Sequence, residues 1–143
     1  MLLFGGRCAA GRSNDCFSLD VSTMTWAQEK PSGAPPAARS FAVLASVNPS
    51  PGLLCFGGVG ADGTQLDSLD VLDMRGTLAW AQPETRSGEW PPARAVAAYA
   101  ALSASRLVVI SSASVDTQPC SCHLIDAADV CRALAARPAD AKP

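Results

Sequence analysis

Histidine, tyrosine and charge of one sign are scarce in this sequence. Its 143 residues include one His (His123), one Tyr (Tyr99) and 11 basic against 13 acidic groups, for a net charge of -2. Any Ser-His-Asp or Cys-His relay would have to be built on His123, and no Gly-x-Ser-x-Gly elbow occurs to carry a nucleophile. The near balance of charge gives no electrostatic ground for nucleic acid or an anionic membrane as a partner. No apolar run approaches the roughly 20 residues that span a bilayer, and "MLLFGGRCAA" lacks the basic start and apolar length of a secretory signal. A cytoplasmic chain is therefore expected. Six irregularly spaced cysteines then read as reduced packing residues.

What is present is hydrophobic material in short pieces. Residues of hydrophobic type make up 48% of the chain against 17% charged, enough to build a core and too much for disorder. Two of the apolar runs, "LLFGG" and "LLCFGG", stop in the same way about fifty residues apart. Sliding the chain against itself by that offset aligns further pairs in the same order. Phe4-Gly5-Gly6 meets Phe56-Gly57-Gly58, Ser18-Leu19-Asp20-Val21 meets Ser68-Leu69-Asp70-Val71, and Trp26-Ala27-Gln28 meets Trp80-Ala81-Gln82. Ser32-Gly33 then meets Ser87-Gly88, and the Pro-Pro-Ala segment ending at Arg39 meets the one ending at Arg94. Ordered coincidences of this kind mark an internal repeat.

Each unit reads as four short strands. "SFAVLAS" (40–46) is bounded by Pro and Asn, "NPSPG" (48–52) is a tight connection, and "LLCFGG" is too short for a helix and suits a strand buried on both faces. "SLDVLDM" (68–74) alternates, with Leu69 and Val71 expected inward and Asp70 and Asp73 outward, and "TLAWAQ" (77–82) closes the set. Asp15, Asp20, Asp70 and Asp73 are expected in turn and capping roles, and Arg39 and Arg94 as braces between neighbouring strands.

Four antiparallel strands repeated with a period near fifty residues resemble the kelch repeat, whose Gly-Gly pair ends its second strand and whose Trp lies on its fourth. The signature positions here are Gly5, Gly6, Trp26, Gly57, Gly58 and Trp80. The resemblance runs from Leu2 to about Asp126 and implies an all-β, kelch-type β-propeller fragment of about three four-stranded blades, the first and third incomplete. The expected division is a partial blade over 1–33, a full blade over 34–88, a degenerate one over 89–137, and a disordered tail over 138–143. Met1 falls at the start of a second strand. In the third unit, counting seventeen residues from Arg94 reaches Ser111, the glycine pair has become Ser111-Ser112, and no Trp follows. Closed kelch rings hold about six or seven blades, so a fragment of a longer propeller is expected. Asp126 could cap a short C-terminal helix containing Ala127, Val130, Ala133 and Leu134.

The chemistry on offer is thin. The Gly-Gly runs lead into no helix and lack a Gly-Lys-Ser/Thr ending, so room for backbone beside a neighbouring blade explains them better than a phosphate loop. Cys120, Cys122, His123 and Cys131 could hold zinc, but strand alternation puts the Cys-x-Cys sulfurs on one face and His123 on the other. Cys8 and Cys16 could face each other across the base of a loop. Some kelch-like propellers are copper oxidases similar to galactose oxidase, and one Tyr with one His cannot assemble that site. No cofactor, metal or enzymatic activity is expected.

A binding surface remains. In kelch-like propellers the loops between strands two and three and those between blades open on one face, and this face commonly engages proteins. Here they are 7–15, 59–67, 27–38 and 81–93, and the candidate partner-binding residues are Arg7, Arg12, Asp62, Gln65, Arg86 and Trp90. A protein interaction module is the expected function; a noncatalytic remnant of a kelch-propeller enzyme or of a metal-dependent specifier protein is the alternative. Self-association through open blade faces is a further expectation.

Overall fold

A computed structural model describes residues 1–47, 51–83, 91–93, 95–103, 105–111, 121–126 and 128. The first sheet holds β1 (Leu2–Cys8), β2 (Gly11–Asp20) and β3 (Thr25–Glu29) in that order. A two-stranded ladder joins β4 (Arg39–Ser40) to β7 (Val59–Gly60). The second sheet is β5 (Val43–Val47), β6 (Gly52–Phe56), β8 (Leu69–Asp73) and β9 (Ala79–Ala81). The third is β10 (Val96–Ala101), β11 (Arg106–Ser111) and β12 (Ser121–Asp126). All ladders between these strands are antiparallel. The fold is the expected all-β propeller fragment, and among the described residues it is four-stranded in the middle and three-stranded on either side.

Among the described residues two apolar layers separate the three sheets, and the middle sheet is buried on both faces. Val43, Leu54, Phe56, Leu69 and Val71 meet Leu107, Val109 and Ile125 of the third sheet. On the opposite face, Cys55, Leu72 and Trp80 meet Cys16, with Leu2 and Phe4 packed against them. Alternation along each strand of the middle sheet sends successive side chains into one layer and then the other. The apolar run of β6 is the consequence.

The same alternation corrects three details of the sequence reading. Phe4 pairs with Cys16 while Phe56 pairs with Leu69, so Cys16 stands where Leu69 stands, and Asp20 matches Asp73 in place of Asp70. Leu19 with Trp26 and Leu72 with Trp80 obey this register, three residues away from the one suggested by the matching Ser-Leu-Asp-Val strings. Asp20 and Asp73 each accept the backbone N–H two residues on, from Ser22 at 2.8 Å and Arg75 at 3.0 Å. In the third sheet Ile110, paired with Cys122, occupies the place of Phe56, one residue before Ser111. A bulge between Val96 and Ala98 accompanies that shift, and a shift of one residue exchanges the two faces of a strand.

Asp70 is the third correction. Expected outward, it is buried, because its face is the one turned toward the first sheet, and Arg39 follows it in. Both side chains are only 2% exposed, and Arg39 Nη2 lies 3.3 Å from Asp70 Oδ2. Arg39 also donates to the carbonyls of Gly57 and Ala37, each at 3.0 Å, while Ser68 Oγ and Gln82 Nε2 donate to the Asp70 carboxylate, each at 3.0 Å. A buried pair survives only when its remaining donors and acceptors are met in this way. Arg39 thus braces β4, β6 and β8. The helix expected after Asp126 lies almost wholly outside the described residues; within them, Asp126 Oδ1 accepts the N–H of Ala128 at 2.9 Å. The tail over 138–143 lies outside them too.

Candidate functional site

The expected 7–15 loop is mostly ladder. β1 continues to Cys8 and β2 begins at Gly11, closing on the two residues Ala9 and Ala10, and Arg7 lies directly across from Arg12. Gly11 at φ 124° permits so short a turn. The polar string Arg-Ser-Asn-Asp gave no apolar alternation by which a strand would be recognised, yet an exposed ladder needs none. Cys8 therefore sits at an exposed tip and Cys16 is buried opposite Phe4, so the two do not face each other and both thiols are free.

The 59–67 loop turns tightly beside this hairpin. Gly60 N–H donates to the Thr64 carbonyl at 2.8 Å, and Leu66 N–H to the Gly58 carbonyl at 2.9 Å. Asp62 Oδ1 accepts both the Thr64 N–H at 2.9 Å and its hydroxyl at 2.6 Å. The Thr64 hydroxyl, then its amide, and in smaller part the positive charge of Arg12 hold the Asp62 carboxyl below the usual carboxylate range. Gln65 is exposed and bridges to Val59.

Two bonds tie the hairpin of the first sheet to the chain that enters the second. Arg12 Nε donates to Ser40 Oγ at 2.9 Å, and Asn14 Nδ2 to the Pro36 carbonyl at 3.3 Å. Arg7, Arg12, Asp62 and Gln65 are thereby gathered at one end of the stacked sheets, while Arg86 and Trp90 lie outside the described residues. The structure adds Phe41, which the sequence placed inside a strand. The strand begins only at Val43, and Phe41 follows Ser40 at φ 59° with 67% of its surface exposed. Nothing in "RSFAV" announces a left-handed residue as a glycine would, so the sequence carried no signal for it.

On the same end, a cleft of about 240 Å³ opens between the first sheet and Trp80, with Asp15, Glu29 and Lys30 on its walls. Ser18 Oγ donates to Glu29 Oε1 at 2.6 Å, and burial, with Glu29 second, pushes the Cys16 thiol up. At the other end of the chain, Cys122 pairs with Ile110 and is exposed, while His123 pairs with Val109 on the opposite face, its Nε2 3.0 Å from Ser121 Oγ. Cys120 and Cys131 fall outside the described residues. Among those described, no three His, Cys, Asp or Glu side chains converge as a metal set.

The signature residues divide by environment. Gly5 and Gly6 have φ of 70° and 110°, Gly57 and Gly58 of 66° and 101°. A Cβ on Gly5 would stand 2.6 Å from the carbonyl oxygen of Arg39, in the chain entering the neighbouring sheet, and one on Gly58 would stand 2.7 Å from that of Ser40. Trp80 is 5% exposed and Trp26 50%.

The KLHDC2/KLHL20/DRC7 Kelch-repeats domain matches this chain over residues 1–129. Acyl-CoA-binding domain-containing protein 5 of Arabidopsis thaliana is 41% identical over 97 residues, covering 66% of this chain and 14% of that protein. Acyl-CoA-binding domain-containing protein 4 of the same plant is 40% identical over 97 residues, with the same coverage of 66% and 14%. Repeat, blade packing and family match agree: this chain belongs to the kelch-repeat family.

Proposed function

We propose that the chain is a non-catalytic protein interaction module, part of a larger propeller, that holds a partner protein on the end where the β1–β2 hairpin meets the 59–67 loop. The observation that carries this reading is the Arg12–Ser40 bond, which locks polar side chains from two successive repeats into one surface. Such a surface loses little freedom on binding. Arg7, Arg12, Asp62 and Gln65 contribute to it, and the same reading assigns partner-binding roles to Arg86 and Trp90. The repeat units in this reading are 1–33, 34–88 and 89–137. A reducing, cytoplasmic setting is part of the proposal. Acyl-CoA binding, carried in the names of the two relatives, is not extended to a chain that spans 14% of either.

A site-specific photocrosslinker tests it. Placed at Gln65 it should capture a discrete partner protein; placed at Thr23, in the turn between β2 and β3 at the opposite end, it should not. Equal capture at both positions, or none at Gln65, overturns the proposal.

A further inference from the structure

Two features on this end are held against the interests of folding. Phe41 keeps a bulky side chain in the left-handed backbone region and leaves two thirds of it in water, where a glycine would avoid both penalties. Arg7 and Arg12 stand directly across from each other in the β1–β2 ladder, and like charges in that relation repel. The two features are neighbours, since Arg12 is bonded to Ser40, the residue before Phe41. The charge of Asp62 lies within reach of Arg12. Sequences tend to conflict with local preference where a site is built.

We infer that Phe41 is the apolar anchor of this face, and that the partner segment it takes presents a bulky apolar side chain beside a carboxylate. The aromatic ring supplies a rigid, dehydrating contact of the kind that dominates interface energetics. A carboxylate arriving between Arg7 and Arg12 relieves their repulsion and gains charge-assisted hydrogen bonds from both. The exposed half of the contact is thus apolar and its rim cationic, which excludes basic segments by the same repulsion.

This inference rests on the proposed function and is separable from it. The full chain is titrated, by fluorescence polarisation, into two labelled peptide pools that share a central Leu, Phe or Trp and differ only in flanking Asp/Glu or flanking Lys/Arg. Binding should be confined to the acidic pool. Phe41→Gly should weaken it about tenfold or more while the melting temperature stays equal or rises, and Arg7→Gln should weaken it and flatten its salt dependence. Equal binding of the pools, no binding of either, an unaltered affinity in Phe41→Gly, or a lowered melting temperature in that variant each overturn the inference. If the Gln65 crosslinker captures a partner whose yield Phe41→Gly leaves unchanged, the anchor fails and the interaction module stands.

Discussion

Trp80 of the second sheet packs on Phe4 of the first, ring centroids 4.8 Å apart and planes inclined at 58°. Both residues recur in the repeat, Phe4 as Phe56 and Trp80 as Trp26, but they belong to successive units, so the repeat encodes the joint between blades as much as the blade itself. Trp26 is the counterpart of Trp80 in the first sheet, and its face carries no such neighbour among the described residues, leaving it half exposed.

The two tryptophans should therefore respond differently to truncation. Trp80→Ala removes a large buried ring from the layer shared with Cys16, Cys55 and Leu72, and a loss of about 3–5 kcal/mol is expected. Trp26→Ala removes a side chain already half in water, and a smaller loss of about 1–3 kcal/mol is expected. Urea unfolding of both variants checks this, and equal losses would mean that the first sheet's outer face is covered in solution.

Breaking the Arg39–Asp70 pair should cost more than its single 3.3 Å contact suggests. Asp70→Ala leaves a buried guanidinium unpaired and is expected to lose about 3–5 kcal/mol. Arg39→Ala should lose at least as much, because the carbonyls of Gly57 and Ala37 forfeit their donor together with the carboxylate. Denaturant midpoints would decide the order, and a milder effect for Arg39→Ala would show water replacing it.

Cys55 makes stability depend on pH in the alkaline range. Burial pushes its thiol from 9.0 up to about 12, the charge of Arg39 opposing and that of Asp70 adding. Below about pH 9 the thiol is neutral whether the chain is folded or not, and it contributes no pH dependence. Above it the unfolded chain releases the proton and the folded chain keeps it. Stability should thus fall by about 1.4 kcal/mol per pH unit until the folded group titrates near 12. Cys55→Ala should flatten that slope in urea titrations at pH 8.5 to 10.5. In the native chain a thiol reagent should modify Cys8 and Cys122 and spare Cys55, read by peptide mass.

The strand content and the blade period could be read from the sequence because both follow from hydrophobic spacing and glycine placement, as in "LLCFGG". The register could not. Ser-Leu-Asp-Val occurs twice, and the eye aligns the strings, whereas the ladders align Cys16 with Leu69, since pairing is decided by which face each side chain must bury. Asp70 was misplaced for a related reason. Alternation assigns a charged residue to solvent unless its partner is known, and Arg39 is thirty-one positions away in the chain. Loop polarity singles out Arg7, Arg12, Asp62 and Gln65 for the proposed face, while Phe41 stays hidden because a left-handed phenylalanine leaves no mark in composition or spacing.

The paired glycines that first revealed the repeat should prove unequal. Gly5 has φ 70° and no room, since a Cβ there would press to 2.6 Å from the Arg39 carbonyl oxygen, an atom of the rigid backbone. Gly6 has φ 110° and nothing within 4 Å. Gly6→Ala meets backbone strain alone and should lose about 1–3 kcal/mol. Gly5→Ala meets strain and collision together, and the collision can be relieved only by moving β4 away from the first sheet. That movement would pull on the Arg12–Ser40 bond and on the Trp80–Phe4 contact. Gly5→Ala should therefore destabilise the chain more than Gly6→Ala and also shift the Trp80 fluorescence toward the red, which can be read with Trp26 and Trp90 both replaced by Phe. Equal stability losses with no spectral change would place the glycine requirement in the turn alone and not in the joint between blades.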